Sequence, residues 1–258
     1  MKIRELWEDA SQYCLDRRRD YHLNHAYVEG YQWLNWDPVD YQVQALPSDA
    51  NRIKATLNRM RSNLRPMMAN LLERQLTFDV TPTAGDDVTI RAARIAQTVL
   101  ADTASPQGHN WEAMRERHLL AIVKGGTAVI AVDWSEKTKQ TTETVLGVTE
   151  FVVEPGAPDP EKALWWIKQQ LLPPSTVRAM WPNIFGLDRK PEPDGRVGMG
   201  MSYDYKTRNA PVVRVFTYYE RPNPRCPEGR VLVEVNGIVV EKCTWNFPWR
   251  DRLNFVIS

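Results

Sequence analysis

The feature that most constrains this chain is a change of hydrophobic period at Gly125-Gly126. Trp111 to Val123 places apolar residues at helical spacing, whereas KGGTAVIAVDW (residues 124 to 134) turns at the glycine pair into an apolar strand. Mostly helical patterns precede the pair and mostly strand patterns follow it. Such segregation specifies an α+β chain rather than alternating βαβ units.

Residues 3 to 23 carry Ile3, Leu6, Trp7, Tyr13, Cys14 and Leu15 among many charges. They read as one amphipathic, solvated helix with Arg17-Arg18-Arg19 on its wet face. From Tyr27 to Pro47 the period dissolves; Asp37-Pro38 and Pro47 block helix, so an ordered loop is expected. Ser48 or Asp49 then caps a long helix with the stripe Ile53, Leu57, Met60, Leu64, Met67 or Met68, and Leu71, kinked at Pro66. Arg52, Lys54, Arg59, Arg61 and Arg65 all precede its first acid, Glu73, and read as a basic, solvated face. LTFDVTP (residues 76 to 82) alternates as a short strand. After Asp86-Asp87, Val88 to Leu100 forms an Ala-rich helix with Ile95, Ala96, Val99 and Leu100 on one side. It pairs with the Trp111 helix as a hairpin through Pro106 and Gly108.

In the second half, residues 124 to 134 and 141 to 156 make an antiparallel hairpin, and residues 163 to 172 add a strand. Pro173-Pro174-Ser175 opens a short helix through Met180 that ends by Pro182. Residues 186 to 210 have the composition of a long loop. Residues 212 to 221, 229 to 243 and the closing LNFVIS read as a small β module, with Asn236-Gly237 signalling a type I′ turn. The chain stops at Ser258 inside a strand pattern, so the natural protein is expected to continue.

A net charge of +1 argues against a strongly basic nucleic-acid binder. Cys14, Cys226 and Cys243 lack metal spacing and read as reduced thiols; no signal peptide and no long uncharged apolar run occur. The ten tryptophans, Trp33 and Trp36 among them, suit subunit interfaces. No catalytic constellation emerges. His22 and His25 lack a third ligand, Gly125-Gly126-Thr127 precedes a strand rather than a helix, and the glycines from Gly195 to Gly200 have no βαβ context. Asp86-Asp87 and Glu150, Glu154 and Asp159 read as helix-start and turn acids, and no nucleophile elbow is present. The expectation is a protein without catalytic residues, metal or cofactor, and so not an enzyme.

Several stretches, in order, resemble the portal proteins of tailed bacteriophages. They are Gly30-Tyr31-Gln32-Trp33, Asn51-Arg52-Ile53, Phe78 to Pro82, Asp86-Asp87 into Ala92-Ala93, and Lys124-Gly125-Gly126-Thr127 running to Asp133-Trp134. FVVEPGAPDPEKALWWIKQQLLPPSTVRAMWP is similar to the family's Asp-Pro-x-Ala segment, with Glu154 in place of the usual aspartate. YYERPNPRCPEGRVLVEVNGIVVEKCTWNFPWRDRLNFV resembles its tyrosine-rich strand and following hairpin. The weight lies in order and spacing, since each motif is short.

The resemblance implies a portal-like α+β fold: a wing-like body over residues 1 to 172, a stem start and loop over 173 to 210, and a clip-like β module over 211 to 258, with the C-terminal half beyond Ser258. It implies a viral protein that forms a dodecameric ring at one capsid vertex, in the virion and, during assembly, in the host cytoplasm. There it would contact the major capsid protein, the terminase large subunit and the head-tail adaptor, and pass double-stranded DNA, with no membrane. Trp33, Trp36, Tyr41, Arg52 and Arg59 are the expected subunit or capsid contacts; Tyr218, Tyr219, Arg221, Trp245 and Trp249 the expected clip-like partner surface. The rival readings are a nucleic-acid-processing enzyme with its active site beyond Ser258 and a head-tail adaptor scaffold.

Overall fold

The computed structural model describes residues 2–31, 33–37, 42–45, 57–73, 79–105, 108–135, 140–184, 212–245, 247 and 253–257. Two antiparallel sheets organise it. β3 (Ala128–Ser135) and β4 (Gln140–Gly147) form the expected hairpin, pairing Ala128 with Gly147 through Ser135 with Gln140. The other sheet has the order β5 (Phe151–Val153), β6 (Trp165–Leu172), β7 (Val213–Glu220), β8 (Arg230–Val235), β9 (Ile238–Thr244). Asn236 and Gly237, at φ 51° and 81°, make the β8–β9 turn that the sequence specifies.

The β module expected from residue 211 onward is not separate. β7 pairs with β6 along its whole length, from Trp165 opposite Glu220 to Leu172 opposite Val213. β10 (Phe255–Ile257) pairs instead with β3. Strand patterns announce partners only locally; which strand a third one joins is set by packing.

Alternation along β6 and β7 gives each face its own core. Trp166 and Tyr219 join Val129, Ala131, Leu146 and Phe255 of the other sheet, so the two sheets share one core. Ile167, Phe216 and Tyr218 point the other way, onto Ile3, Trp7 and Ala10 of α1 (Ile3–Gln12). The Ile3 amide donates to buried Glu234 on β8 at 2.9 Å, which satisfies one of the donors a helix N-terminus leaves open. At the far end of β7 and β8, Val177 of α6 (Pro174–Met180) covers Val213, Val215, Val233 and Val235.

The single helix expected over residues 3 to 23 is two. Tyr13 and Cys14 close α1, and α2 (Leu15–Val28) follows. α1 is held against the five-stranded sheet, and the break frees α2 to lie on α5 (Trp111–Gly125), which itself covers β3 and β4. Arg18 is not on a wet face either; its guanidinium lies 5.1 Å from the centre of the Trp7 ring.

Buried in α2, His22 has its pKa lowered to about 4, first by burial and then by the charges of Arg18 and His25. Protonation therefore favours the unfolded chain, so this stability is present above the ordinary value of 6.5 and is lost as pH falls toward about 4. The shift corresponds to about 3 kcal/mol. Urea unfolding at pH 7 and pH 4 should show the wild type losing about that much more stability than His22→Gln; equal losses would contradict the account.

The stretch from Tyr27 to Pro47 also departs from expectation. α2 runs to Val28, and β1 (Leu34–Asp37) pairs with β2 (Gln42–Ala45), Trp36 opposite Val43. The expected caps Ser48 and Asp49 lie outside the described residues. Asn58 caps α3 (Arg59–Leu72), its side chain accepting from the Arg61 amide at 3.0 Å and donating to the Val28 carbonyl at 2.8 Å. Of the expected strand over 76 to 82, residues 79–82 contain none, and 76–78 lie outside the described residues. α4 (Asp87–Ala104) starts where expected, with Asp86 accepting from the Thr89 amide.

Candidate functional site

Two places stand out: the outward faces of α3 and α4, and a cleft beside α5. On α3, Met60, Met67 and Leu71 are exposed, while Met68 is its buried residue. On α4, Val88, Ile95 and Val99 are 75%, 65% and 57% exposed, and Ala93 alone is buried. At 3.6 residues per turn Met60, Leu64, Met67 and Leu71 fall within about 60° of one another, and so do Val88, Ala92, Ile95 and Val99. These stripes face outward in the single chain; of the α4 face that the sequence marks, Ile95 and Val99 are exposed and Ala96 and Leu100 are half-buried.

An apolar stripe on a helix is there to be buried, because helices of this length draw most of their stability from packing. The faces have a charged margin. Arg59, Arg61 and Arg65 are exposed on α3 and Arg91 and Arg94 on α4, and α3 contains no acid. An apolar strip rimmed by charge is the make-up of a protein–protein contact.

The cleft, about 510 Å³, lies between α5 and β4 with Tyr21 of α2 at its side. Its charges largely answer one another. His109 Nδ1 meets the Glu143 carboxylate. Lys124 is 3.1 Å from His25 Nδ1 and 3.9 Å from Glu29. Burial pushes the Lys124 pKa down and that of Glu150 up; Glu150 accepts from the Gly147 amide at 2.8 Å. Among the described residues no three His, Cys, Asp or Glu side chains group as a metal site, and no helix is long and apolar enough to cross a membrane.

No protein-family model matches the chain, and no curated protein matches it.

The residues singled out from the sequence scatter. Trp33 is exposed just before β1, and Arg59 is exposed as the first residue of α3. Trp36 lies in β1, but its side chain, like Tyr41, Arg52 and Trp249, is outside the described residues. Tyr218, Tyr219 and Trp245 are buried. Their rings are used by this chain's own cores, where Tyr219 stacks on Trp166 at 4.6 Å and Trp245 packs on Phe247 at 4.8 Å, so they offer a partner little area. Arg221 donates to the Lys162 carbonyl at 2.6 Å. Met60, Met67, Ile95 and Val99 were visible in the sequence only as members of apolar helix faces, and Val88 only as the start of a helix; periodicity marks a face to be covered without saying by which chain.

A further cluster joins the sheets. Asp133 of β3 accepts from Lys168 Nζ and from the Tyr219 hydroxyl, each at 2.6 Å. Asn254 donates to Asp133 at 3.4 Å and to the Val132 carbonyl at 3.2 Å, and its Oδ1 accepts from Trp166 Nε1 at 2.8 Å. Burial first, and then the Asp133 charge, raise the Tyr219 pKa, so the phenol stays a donor. Sequence spacing gives no hint of this cluster, whose members come from three strands, β3, β6 and β7, and a bend.

Proposed function

We propose that this chain is the N-terminal part of a ring-forming portal protein of a tailed bacteriophage, with a portal-like α+β fold. The observation that carries the reading is the pair of outward apolar stripes on α3 and α4, which a monomer leaves uncovered. In a closed ring, neighbours meet head to tail through unlike surfaces, so each subunit presents faces that only the next one covers. The order of motifs from Gly30 to the strand at Phe255 supports the same assignment. In this role the ring sits at one capsid vertex, binds the capsid, the terminase motor and later the adaptor, and lets duplex DNA slide through. A net charge of +1 suits sliding, since each lasting phosphate contact would add to the grip on DNA.

Native mass spectrometry of the full-length protein, with negative-stain imaging, tests this. The expected species is a closed ring of about a dozen subunits with an open centre, in keeping with cyclic assembly. A monomer or dimer at every concentration would overturn it.

A further inference from the structure

We infer that Lys168 and Asn254 form an intramolecular isopeptide bond, with Asp133 moving the protons, so that the chain ties its two sheets together covalently. The inference is independent of the portal reading.

The groups are arranged by role. Lys168 on β6 is the nucleophile, and at 5% exposure its stem and amine are held inside the fold. Asn254, 1% exposed at the bend before β10, offers the electrophilic side-chain carbonyl. That carbonyl oxygen accepts from Trp166 Nε1 at 2.8 Å, a donor placed where negative charge develops during attack. Asp133 contacts both partners: Lys168 Nζ at 2.6 Å through Oδ2 and Asn254 Nδ2 at 3.4 Å through Oδ1. The Tyr219 hydroxyl donates to that same Oδ1 at 2.6 Å. Around them the rings of Trp166, Tyr219 and Phe255 pack, with centroids 4.6 Å and 4.9 Å from Trp166, and keep water from competing with the amine.

In the reaction the Lys168 ammonium first gives a proton to Asp133. The neutral amine attacks Cγ of Asn254, forming the Nζ–Cγ bond while the carbonyl electrons move onto Oδ1, towards the Trp166 donor. As the carbonyl re-forms, the Cγ–Nδ2 bond breaks. The departing nitrogen takes the amine's second proton and the one held on Asp133, and leaves as ammonium. Asp133 returns to a carboxylate, the lysine's charge departs with the ammonium, and no oxidant or reductant is needed. Holding amine and carboxamide against one acid in a fixed core supplies the proximity that makes an unactivated amide reactive. Asp133 is partly exposed, with 26% of its side chain open, which gives the ammonium a way out.

The intact mass of the purified full-length chain under denaturing conditions decides the matter. The expected mass lies below the sequence mass by one ammonia, and fragment spectra should join a peptide carrying Lys168 to one carrying Asn254. Lys168→Met and Asp133→Ala should show no such loss. Because Asp133→Ala also strips a buried amine of its partner and can cost folding, Trp166→Phe is the second variant. It keeps a ring in place but removes the carbonyl's donor, and the cross-linked fraction should fall. A folded wild-type chain at its full sequence mass overturns the inference. So does a deficit of one water, which would put the bond on the Asp133 carboxyl, and so does undiminished cross-linking in Trp166→Phe.

Discussion

Replacing Trp166 with alanine should cost about 4 kcal/mol of folding stability, the range for emptying a fully buried aromatic site. Among the described residues Trp166 is the largest side chain buried outright, at 0% exposure, and it stands where the two sheets meet. Its ring stacks on Tyr219 and meets Phe255 edge-on. Truncation would open a cavity in the core that the two sheets share and would leave Asn254 Oδ1 without its donor. Urea unfolding followed by Tyr and Trp fluorescence measures the loss. Trp165→Ala is the control: the neighbouring ring points to the α1 side and is only partly buried, so its loss should be clearly smaller. Equal losses for the two variants would show that the inter-sheet core does not centre on Trp166.

Much of the β half was legible because its signals are local. Asn236-Gly237 fixes a turn by backbone conformation alone, and a two-residue connection brings the strand patterns on either side against each other. Likewise Ala128 to Ser135 and Gln140 to Gly147 are joined by a short connection that leaves one antiparallel register. The partnering of β6 with β7 was not legible, since the residues between them, 173 to 212, separate the strands far beyond any turn signal. The helical half failed differently. The break at Tyr13-Cys14 carries neither glycine nor proline, and it exists because Trp7 must reach the sheet while Tyr21 and His25 lie by α5.

The candidate sites show the same limit. Tyr218 and Tyr219 were expected as contact surface from the portal resemblance, yet neighbours on a strand point to opposite faces, and here each face of β7 is a core. Asp133, Lys168 and Asn254 have no shared spacing; only the β3–β10 pairing and the approach of β6 bring them together. The apolar stripes of α3 and α4 were legible as faces. That they are not covered by this chain was not, because burial pattern is silent on whether the covering atoms belong to the same molecule.

If the chain assembles as the ring proposed above, the double substitution Ile95→Asp with Val99→Asp should abolish that assembly while leaving the subunit folded. Both side chains point away from the chain's own core, at 65% and 57% exposure, so within the monomer the change should lie within about 0.5 kcal/mol. In a ring each would be buried against the next subunit, where an aliphatic side chain contributes about 2 kcal/mol. Losing two costs about 4 kcal/mol per interface, roughly a thousandfold in the dissociation constant, before the cost of burying carboxylates is added. Because every subunit carries the change, every contact in the ring weakens together. Native mass spectrometry and circular dichroism on the same preparations separate the outcomes: helix content unchanged with monomer replacing ring is expected. An intact ring would remove α4 from the interface and leave the α3 face, with Met60, Met67 and Leu71, to carry the contact, whereas a monomer with lost helicity would mean that α4 folds against its own chain at Ile95 and Val99.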